Sequence, residues 1–216
     1  MTITRNKIPC FAINLEMRTE RRIHVTKEFS NKNEFCFQIF KARLNTIGSL
    51  GLLESFYSII KMADELSYDI LLICEDDHTF TTGYNSNLLF SLIESANKLR
   101  ADVLLGGISW FDCALQVTPE LFWLNKFNGT QFMLIFKRFV PTLLEYRYDE
   151  DDKLDLVISK LSTNIFTSFP FISHQSYFGY SDATDFLEQN HTDVHKLFLK
   201  SEHKLSNLNR VNHFYR

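Results

Sequence analysis

The segment from Asp69 to Asp77 ends in three consecutive carboxylates, Glu75, Asp76 and Asp77. The apolar run before them, Ile70 to Cys74, is rich in branched residues and is typical of a buried strand in a parallel sheet. Stacked negative charge at the end of such a strand is unfavourable, because like charges repel and desolvation adds to the cost. A bound cation would remove the conflict. The segment therefore predicts a metal site, with a solvated acidic turn as the alternative.

The chemistry that these carboxylates offer is the binding of Mg²⁺ or Mn²⁺. Magnesium is usually held by one or two carboxylates together with substrate phosphates, and manganese accepts the same oxygen ligands. On an extended chain Glu75 and Asp77 point to one side and Asp76 to the other. We therefore expect Asp77 to ligate the metal directly, Glu75 to assist it as a ligand or nucleotide contact, and Asp76 to contact the nucleotide. His78 follows, but a single loop histidine is more often structural.

Cationic and amide side chains follow the first predicted strand, which ends in Asn14. Arg18, Arg21 and Arg22 come next, at the start of a predicted helix. Ligands in open α/β sheets lie beyond the carboxyl ends of the strands. We therefore expect Asn14, Arg18 and Arg22 to contact a phosphate-bearing cofactor. The alternative is a solvated first helical turn.

A second pair of candidate cofactor contacts follows the predicted strand at 102–105. Gly106 and Gly107 would leave the backbone there open to close approach by a ligand. If the sheet is parallel, these glycines lie at the same edge as Asn14 and the carboxylates. An ordinary turn is the alternative.

The elements that must position these residues alternate along the chain, which predicts an α/β fold with a mainly parallel central sheet flanked by helices. Apolar periodicity predicts strands at 8–15, 35–40, 69–74 and 102–105, and helices at 19–32, 48–66 and 87–99. The second half is less regular. Its pattern predicts strands at 131–136 and 163–168 and helices at 140–146 and 151–161.

Length and charge bound the class of protein. The 216 residues suit one α/β domain, which we place at 1–190. The net charge of −3 argues against nucleic-acid binding. A tail at 191–216 is basic, since residues 196–216 hold five basic residues against one acidic residue. Its apolar residues recur at helical spacing, which predicts either peripheral contact with an anionic membrane or a helix packed on the domain. The four dispersed cysteines favour reduced thiols and a cytoplasmic location.

Three motifs in the first half resemble those of glycosyltransferase family 25, the lipopolysaccharide-type and collagen-type sugar transferases. Ile13-Asn14-Leu15 with Arg18 and Arg21-Arg22 resembles the opening motif. Gly48-x-x-Gly51-x-x-x-Ser55 resembles the start of a family helix, and Leu72 to Asp77 resembles the Leu-Glu-Asp-Asp strand end. Gly129-Thr130, Asp155, Gln175 and Ser181-Asp182 fall where later motifs are expected.

The resemblance implies a single GT-A-type domain that transfers a sugar, with inversion, from a nucleotide-sugar donor with the aid of a divalent metal. UDP is the expected nucleotide, and the expected acceptor is a glycan or glycolipid in surface polysaccharide or lipopolysaccharide synthesis. Asp155 is the expected catalytic base, because it occupies the family-like position and lies among apolar residues; Asp112, Asp151 and Asp152 are the alternatives. Other readings are a non-catalytic nucleotide-sugar or glycan-binding relative and a magnesium-dependent phosphotransferase or phosphohydrolase.

Overall fold

The computed structural model describes residues 7–179 and 194–214. The predicted domain boundary at 190/191 and the Ser181-Asp182 motif lie outside these ranges. Six helices are present in the described part: α1 Thr19–Phe29, α2 Gly48–Glu65, α3 Ser86–Lys98, α4 Val140–Glu145, α5 Leu154–Leu161 and α6 Val194–Phe214. The strands there are β1 Ile8–Asn14, β2 Phe35–Lys41, β3 Ile70–Glu75, β4 His78–Phe80, β5 Val103–Leu105, β6 Trp110–Phe111, β7 Ala114–Thr118, β8 Leu121–Leu124, β9 Phe127–Asn128, β10 Phe132–Phe136, β11 Ile165–Ser168 and β12 Ser173–Gln175.

The central sheet has eight strands in the order β2-β1-β3-β10-β5-β11-β8-β7. β1 is parallel to β2 and β3, and β5 is parallel to β11. β10 runs antiparallel to β3 and β5, and β8 runs antiparallel to β11 and β7. Only β10 and β8 therefore oppose the common direction in this sheet. The mainly parallel α/β architecture predicted from the sequence is confirmed.

Both faces of the sheet are covered, which explains the continuous apolar runs of β1 and β3. Phe11 and Ile73 point to one layer of the core, which includes residues of α2, α4, α5 and α6. Cys10 and Leu72 point to the opposite layer, which includes residues of α1 and α3. The alternation along each strand gives every second side chain to the same layer. Because β1 and β3 are parallel neighbours, their carboxyl ends lie side by side.

The sequence did not predict the short antiparallel strands between residues 110 and 128. β7 pairs with β8 at the end of the large sheet, and β6 pairs with β9 in a separate two-stranded sheet. These strands are two to five residues long, too short for a clear alternating pattern. After β9 the chain continues into β10.

The basic tail forms α6, which packs on the domain. Phe198 and Leu205 are fully buried in the core, and the Oγ of buried Ser201 donates a hydrogen bond of 2.8 Å to the backbone oxygen of Ser109. Leu199 and Val211 remain exposed. This arrangement matches the alternative of a packed helix rather than a membrane-binding segment. Within the ranges described, the structure contains no helix both long and apolar enough to span a membrane.

Candidate functional site

The three carboxylates lie at the end of β3 and in the turn that leads to β4. One guanidinium nitrogen of Arg21, Nη1, lies 3.2 Å from Oδ1 of Asp76 and 3.3 Å from Oδ2 of Asp77. The prediction that Asp76 points away from Asp77 was therefore wrong. The strand ends at Glu75, so the two-residue alternation of side chains does not continue into the turn.

Asp76 joins the ends of β1 and β3. Nδ2 of Asn14 donates a hydrogen bond of 2.7 Å to Oδ2 of Asp76 and one of 3.2 Å to the backbone oxygen of Arg18. Because Arg21 contacts the other carboxylate oxygen, both oxygens of Asp76 have protein partners. Oδ1 of Asn14 is buried and has no hydrogen-bond partner among the described residues. Asn14 thus offers an acceptor at the site.

Asp77 has one engaged oxygen and one that is open. Its Oδ2 accepts a hydrogen bond of 2.8 Å from Nε2 of Gln175 in β12, in addition to the contact with Arg21. Its Oδ1 is buried and has no hydrogen-bond partner within the described part of the chain. A buried carboxylate oxygen without a partner is costly. A hard cation with oxygen ligands fits this position.

Glu75 completes the acidic group. Its Oε1 accepts a hydrogen bond of 2.6 Å from Oγ1 of Thr130. Burial and then the charge of Asp77 raise the pKa of Glu75 to about 8. Burial, with a further contribution from Asp76, raises the pKa of Asp77 to about 6, although Gln175 and Arg21 oppose this shift. Burial, together with repulsion among the carboxylates, therefore outweighs the attraction of Arg21 for these two groups.

The residues present fit Mg²⁺ or Mn²⁺ as a shared ligand of protein and substrate. No group of three or more histidine, cysteine or acidic residues in the described ranges is arranged to hold a metal by itself. Magnesium commonly binds with one or two carboxylates and completes its shell with substrate phosphates and water. Asp77 Oδ1 would be the direct protein ligand, with Glu75 beside it.

The raised pKa of Glu75 predicts a specific pH dependence of stability without metal. Between its ordinary pKa of 4.5 and the folded value of about 8, the folded state holds a proton that the unfolded state has released. The free energy of unfolding therefore falls as pH rises through this range. A pKa difference of one corresponds to about 1.36 kcal/mol, or about 2–4 °C in Tm for a chain of this size.

We expect Tm in EDTA to fall more steeply between pH 5.5 and 8 in the wild type than in Glu75→Gln, which keeps an acceptor for Thr130. Thermal unfolding followed by circular dichroism measures both curves. The difference between the two proteins isolates this carboxyl from other titrating groups. Parallel curves would contradict the assignment of a strongly raised pKa to Glu75.

Arg21, rather than Arg22, is the helix α1 arginine that meets the carboxylates. Arg21 is buried and lies on the same helix face as Val25 and Phe29, whereas Arg22 is exposed. The ring of Phe178 covers Arg21, with its centroid 5.1 Å from the guanidinium carbon. Arg18 is partly buried at the start of the helix. The expected nucleotide contact of Arg22 therefore lacks support, and the spacing of Arg21 from Val25 was the available signal.

Gly106 and Gly107 are buried under the segment that enters β12, so their backbone is not open to a ligand as expected. The backbone nitrogens of Ile172 and Ser173 donate hydrogen bonds of 2.8 and 3.0 Å to the oxygen of Gly106. Nε2 of Gln131 donates one of 3.0 Å to the oxygen of Gly107. The two glycines thus allow two protein segments to pack closely together. They support the site through this packing rather than by contact with a ligand.

Substitution of Gly107 by alanine should destabilise the protein. A Cβ there would lie 2.2 Å from the backbone oxygen of Ser173, so the backbone would have to move. Overpacking of this kind typically costs about 1–3 kcal/mol. Gly83→Ala is the matched control, because its Cβ would meet only Oγ1 of Thr81 at 3.7 Å, and its effect should stay within about 0.5 kcal/mol. Urea unfolding gives both values, and equal stability of the two variants would contradict the prediction.

The motif Gly48-x-x-Gly51-x-x-x-Ser55 positions a loop. Oγ of Ser55 accepts a hydrogen bond of 2.8 Å from the nitrogen of Arg43 and donates one of 2.6 Å to the oxygen of Gly51. A Cβ on Gly51 would lie 2.7 Å from the oxygen of Arg43. The motif therefore holds the chain after β2 against α2.

His78 is a buried structural residue rather than part of the acidic group. Its Nδ1 lies 2.8 Å from Oγ of Ser173, and its ring packs against Phe29, Phe80 and Phe132. Burial, followed by nearby positive charge, lowers its pKa well below the usual range. The histidine is consequently neutral at physiological pH.

Asp155 lies in the first turn of α5 and is largely buried. Its Oδ1 accepts a hydrogen bond of 2.9 Å from the nitrogen of Leu156, and burial raises its pKa despite this bond. The competing aspartates differ. Asp112 and Asp151 are exposed, and Asp152 accepts a hydrogen bond of 3.0 Å from the Tyr146 hydroxyl. Among the four, Asp155 has the environment that suits proton abstraction near neutral pH.

Comparisons with known proteins concern the fold alone. No family model and no curated protein matches this sequence. The crystal structure of A197 from STIV is similar over 74% of this chain and 81% of that chain, with a TM-score of 0.50 and 14% identity. Apo UDP-glucose pyrophosphorylase is similar over 92% and 82%, with a TM-score of 0.46 and 6% identity.

A glycosyltransferase involved in the glycosylation of the major capsid of PBCV-1 is similar over 64% of each chain, with a TM-score of 0.42 and 10% identity. The α/β fold with a large, mainly parallel central sheet and flanking helices is the one expected from the sequence.

Proposed function

We propose that this protein is a metal-dependent glycosyltransferase that uses a nucleotide-sugar donor. The observation that carries the proposal is the buried Oδ1 of Asp77, which has no hydrogen-bond partner among the described residues and lies beside Glu75. The other oxygen of Asp77, Oδ2, contacts the buried Arg21. A metal ligand, a cluster of carboxyl groups and a nearby guanidinium together suit a diphosphate bound through a divalent cation. The resemblance of the motifs around Asn14 and Asp77 to glycosyltransferase family 25 supports the same substrate class.

The side chains of the site would divide the work of donor binding. Asn14 offers its open Oδ1 as an acceptor, and Arg21 fixes the two aspartates in one geometry. Arg18, at the start of α1, supplies positive charge for the diphosphate. When bound, the divalent cation would stabilise the negative charge of the departing nucleoside diphosphate.

Asp155 would act on the acceptor. Inverting transfer requires a carboxylate within about 2.6–3.2 Å of the acceptor hydroxyl to remove its proton as the new glycosidic bond forms. The burial of Asp155 favours the protonated product of that step and holds the side chain in one orientation. α5 packs beside β9, which leads into Thr130 and so to Glu75. This placement supports a position on the acceptor side.

The finer assignments rest on the motif resemblance. They are UDP as the nucleotide, a hexose as the transferred sugar, and a glycan or glycolipid acceptor in surface polysaccharide or lipopolysaccharide synthesis. The proposed cytoplasmic location rests instead on the four dispersed cysteines. The net charge of −3 agrees with a partner other than nucleic acid.

A thermal-shift panel of nucleotide sugars, each with Mn²⁺ and with EDTA, tests the proposal. A ligand present at 100 times its Kd stabilises the folded state by about 2.7 kcal/mol, which corresponds to about 5–10 °C at this chain length. We expect such a shift for a nucleotide sugar only when the metal is present. Absence of a metal-dependent shift across the panel would overturn the proposal, and binding without turnover would favour a non-catalytic relative.

A further inference from the structure

A pocket with a volume of about 400 Å³ lies between α6 and the small sheet formed by β6 and β9. This volume is within the range of about 300–1,000 Å³ that is usual for small-molecule sites. The pocket is lined by Ser109, Trp110, Asn128, Leu197, Lys200, Ser201 and Lys204. None of the carboxylates described above lines it.

The charge of the pocket is positive. Lys200 and Lys204 are one helical turn apart on α6, so both ammonium groups can reach the same ligand. No acidic residue is among the lining residues, and within residues 7–179 and 194–214 neither lysine forms an ion pair. Nζ of Lys204 lies 5.6 Å from the ring centroid of Phe111. The pocket therefore suits an anionic group.

The wall opposite the lysines carries an exposed aromatic ring. Trp110 keeps 47% of its surface accessible, which is a large area for a residue that usually packs. A pyranose ring has an apolar face of C–H groups that can cover an indole, and its hydroxyl and carboxylate or phosphate groups lie at the rim. Tryptophan together with two lysines thus matches a sugar that bears a negative charge.

The pocket is fixed by hydrogen bonds among its own walls. Oγ of Ser109 donates to the backbone oxygen of Asn128 at 3.1 Å and to its Oδ1 at 3.0 Å, and Ser201 donates to the oxygen of Ser109 at 2.8 Å. Ser201 also lies on the buried face of α6. Helix and sheet are held together, so the site is preorganised.

The pocket is also close to the acidic group. Asn128 lines it, and Thr130, two residues further on, bonds to Glu75. Two residues of chain span at most about 7 Å. The pocket and the acidic group are therefore joined by one short stretch of chain.

We propose that this pocket binds an anionic sugar of the acceptor, with Trp110 against its ring and Lys200 and Lys204 at its charge. The role as acceptor site rests on the proposed function, whereas binding by the pocket can be measured without donor or metal. The proposal predicts that the acceptor belongs to the class of acidic glycans.

The test is a titration of the metal-free protein with a uronic-acid disaccharide, with its carboxyl-reduced neutral form, and with inorganic phosphate, followed by the indole N–H signals in proton–nitrogen NMR. The chain has two tryptophans, and a Trp110→Phe variant identifies the signal of Trp110. We expect the acidic disaccharide to move that signal and to bind several-fold more tightly than the neutral form.

Lys200→Ala combined with Lys204→Ala should weaken this binding about tenfold, the order expected for loss of two exposed charge contacts. Arg210→Ala is the matched control, because Arg210 is an exposed cation of the same helix outside the pocket. The affinity of this variant for the acidic disaccharide should equal that of the wild type. Trp110→Ala should also weaken binding. Nucleotide-sugar binding with Mn²⁺ should persist in the double variant.

Several results would overturn the proposal: equal binding of the acidic and neutral disaccharides, a response confined to Trp123, or inorganic phosphate that binds as tightly as the acidic sugar and displaces it. Equal weakening by Arg210→Ala would also overturn it, since attraction would then be nonspecific. If the thermal-shift panel of nucleotide sugars shows no binding, this titration can still be carried out. The two proposals can therefore be refuted independently.

Discussion

Asp155→Asn should reduce sugar transfer by about 10²-fold or more while binding of the nucleotide sugar and its metal dependence persist. Loss of a general base typically costs this much. The amide keeps the shape of the side chain and an oxygen that can accept from Leu156. A defect in turnover without a defect in donor binding is therefore the expected signature.

The pH profile makes this prediction sharper. Burial raises the pKa of Asp155, so the carboxyl is protonated, and inactive as a base, below that raised value. At saturating metal and donor, transfer by the wild type should fall as pH falls through it, and the residual activity of Asp155→Asn should keep only the fall that follows protonation of Asp77, whose pKa is about 6. Steady-state rates from pH 5 to 8 measure the difference.

Asp151→Asn is the matched control, because Asp151 is an exposed neighbour whose carboxylate should be dispensable. Near-normal turnover in Asp155→Asn would exclude Asp155 as the base and direct attention to Asp112. Loss of donor binding would instead place Asp155 in the donor site.

Asp77→Asn should abolish metal-dependent binding of a nucleoside diphosphate, with at least about a 10²-fold loss of affinity. Changes to groups that only orient metal ligands cost about 10–100-fold, and Asp77 is the proposed ligand itself. Calorimetric titration of UDP with and without Mn²⁺ measures the loss. Glu75→Gln should weaken the same binding less, because its Oε1 is already engaged by Thr130.

The stability of the Asp77→Asn protein separates loss of a ligand from loss of the fold. Removing a buried charge with a raised pKa should leave the metal-free Tm at neutral pH unchanged or higher. Asp69→Asn, at the opposite end of β3 and highly exposed, is the control and should bind normally. Unchanged diphosphate affinity in Asp77→Asn would contradict the metal-site assignment.

The apolar run before Glu75 was sufficient to predict β3 and the acidic group at its end. The same local signals did not reveal the contacts that complete the site. The choice between Arg21 and Arg22 depended on the phase of α1, which is set by burial of Val25 and Phe29 against the sheet. Arg21 lies four residues before Val25 and therefore shares its inward face, whereas Arg22 does not.

The roles of Gly106 and Gly107 depend on a partner far along the chain. Ser173 approaches both glycines, and no local pattern near residue 106 indicates that segment. The strands β6 to β9 were missed for a different reason, since they are short and, apart from the pairing of β8 with β11, pair only with one another. The sequence therefore did not predict the long-range pairing of short segments.

Because Gln175 holds Asp77 in place, the proposed metal site can form only after Gln175 has been synthesised. The two residues are separated by 98 positions in the chain, so the ribosome makes the carboxylates long before the residue that holds Asp77. At about 5–20 residues per second, this gap amounts to roughly 5–20 s. A nascent chain interrupted before β12 would therefore carry the acidic motif without the geometry that we propose for binding a nucleotide sugar.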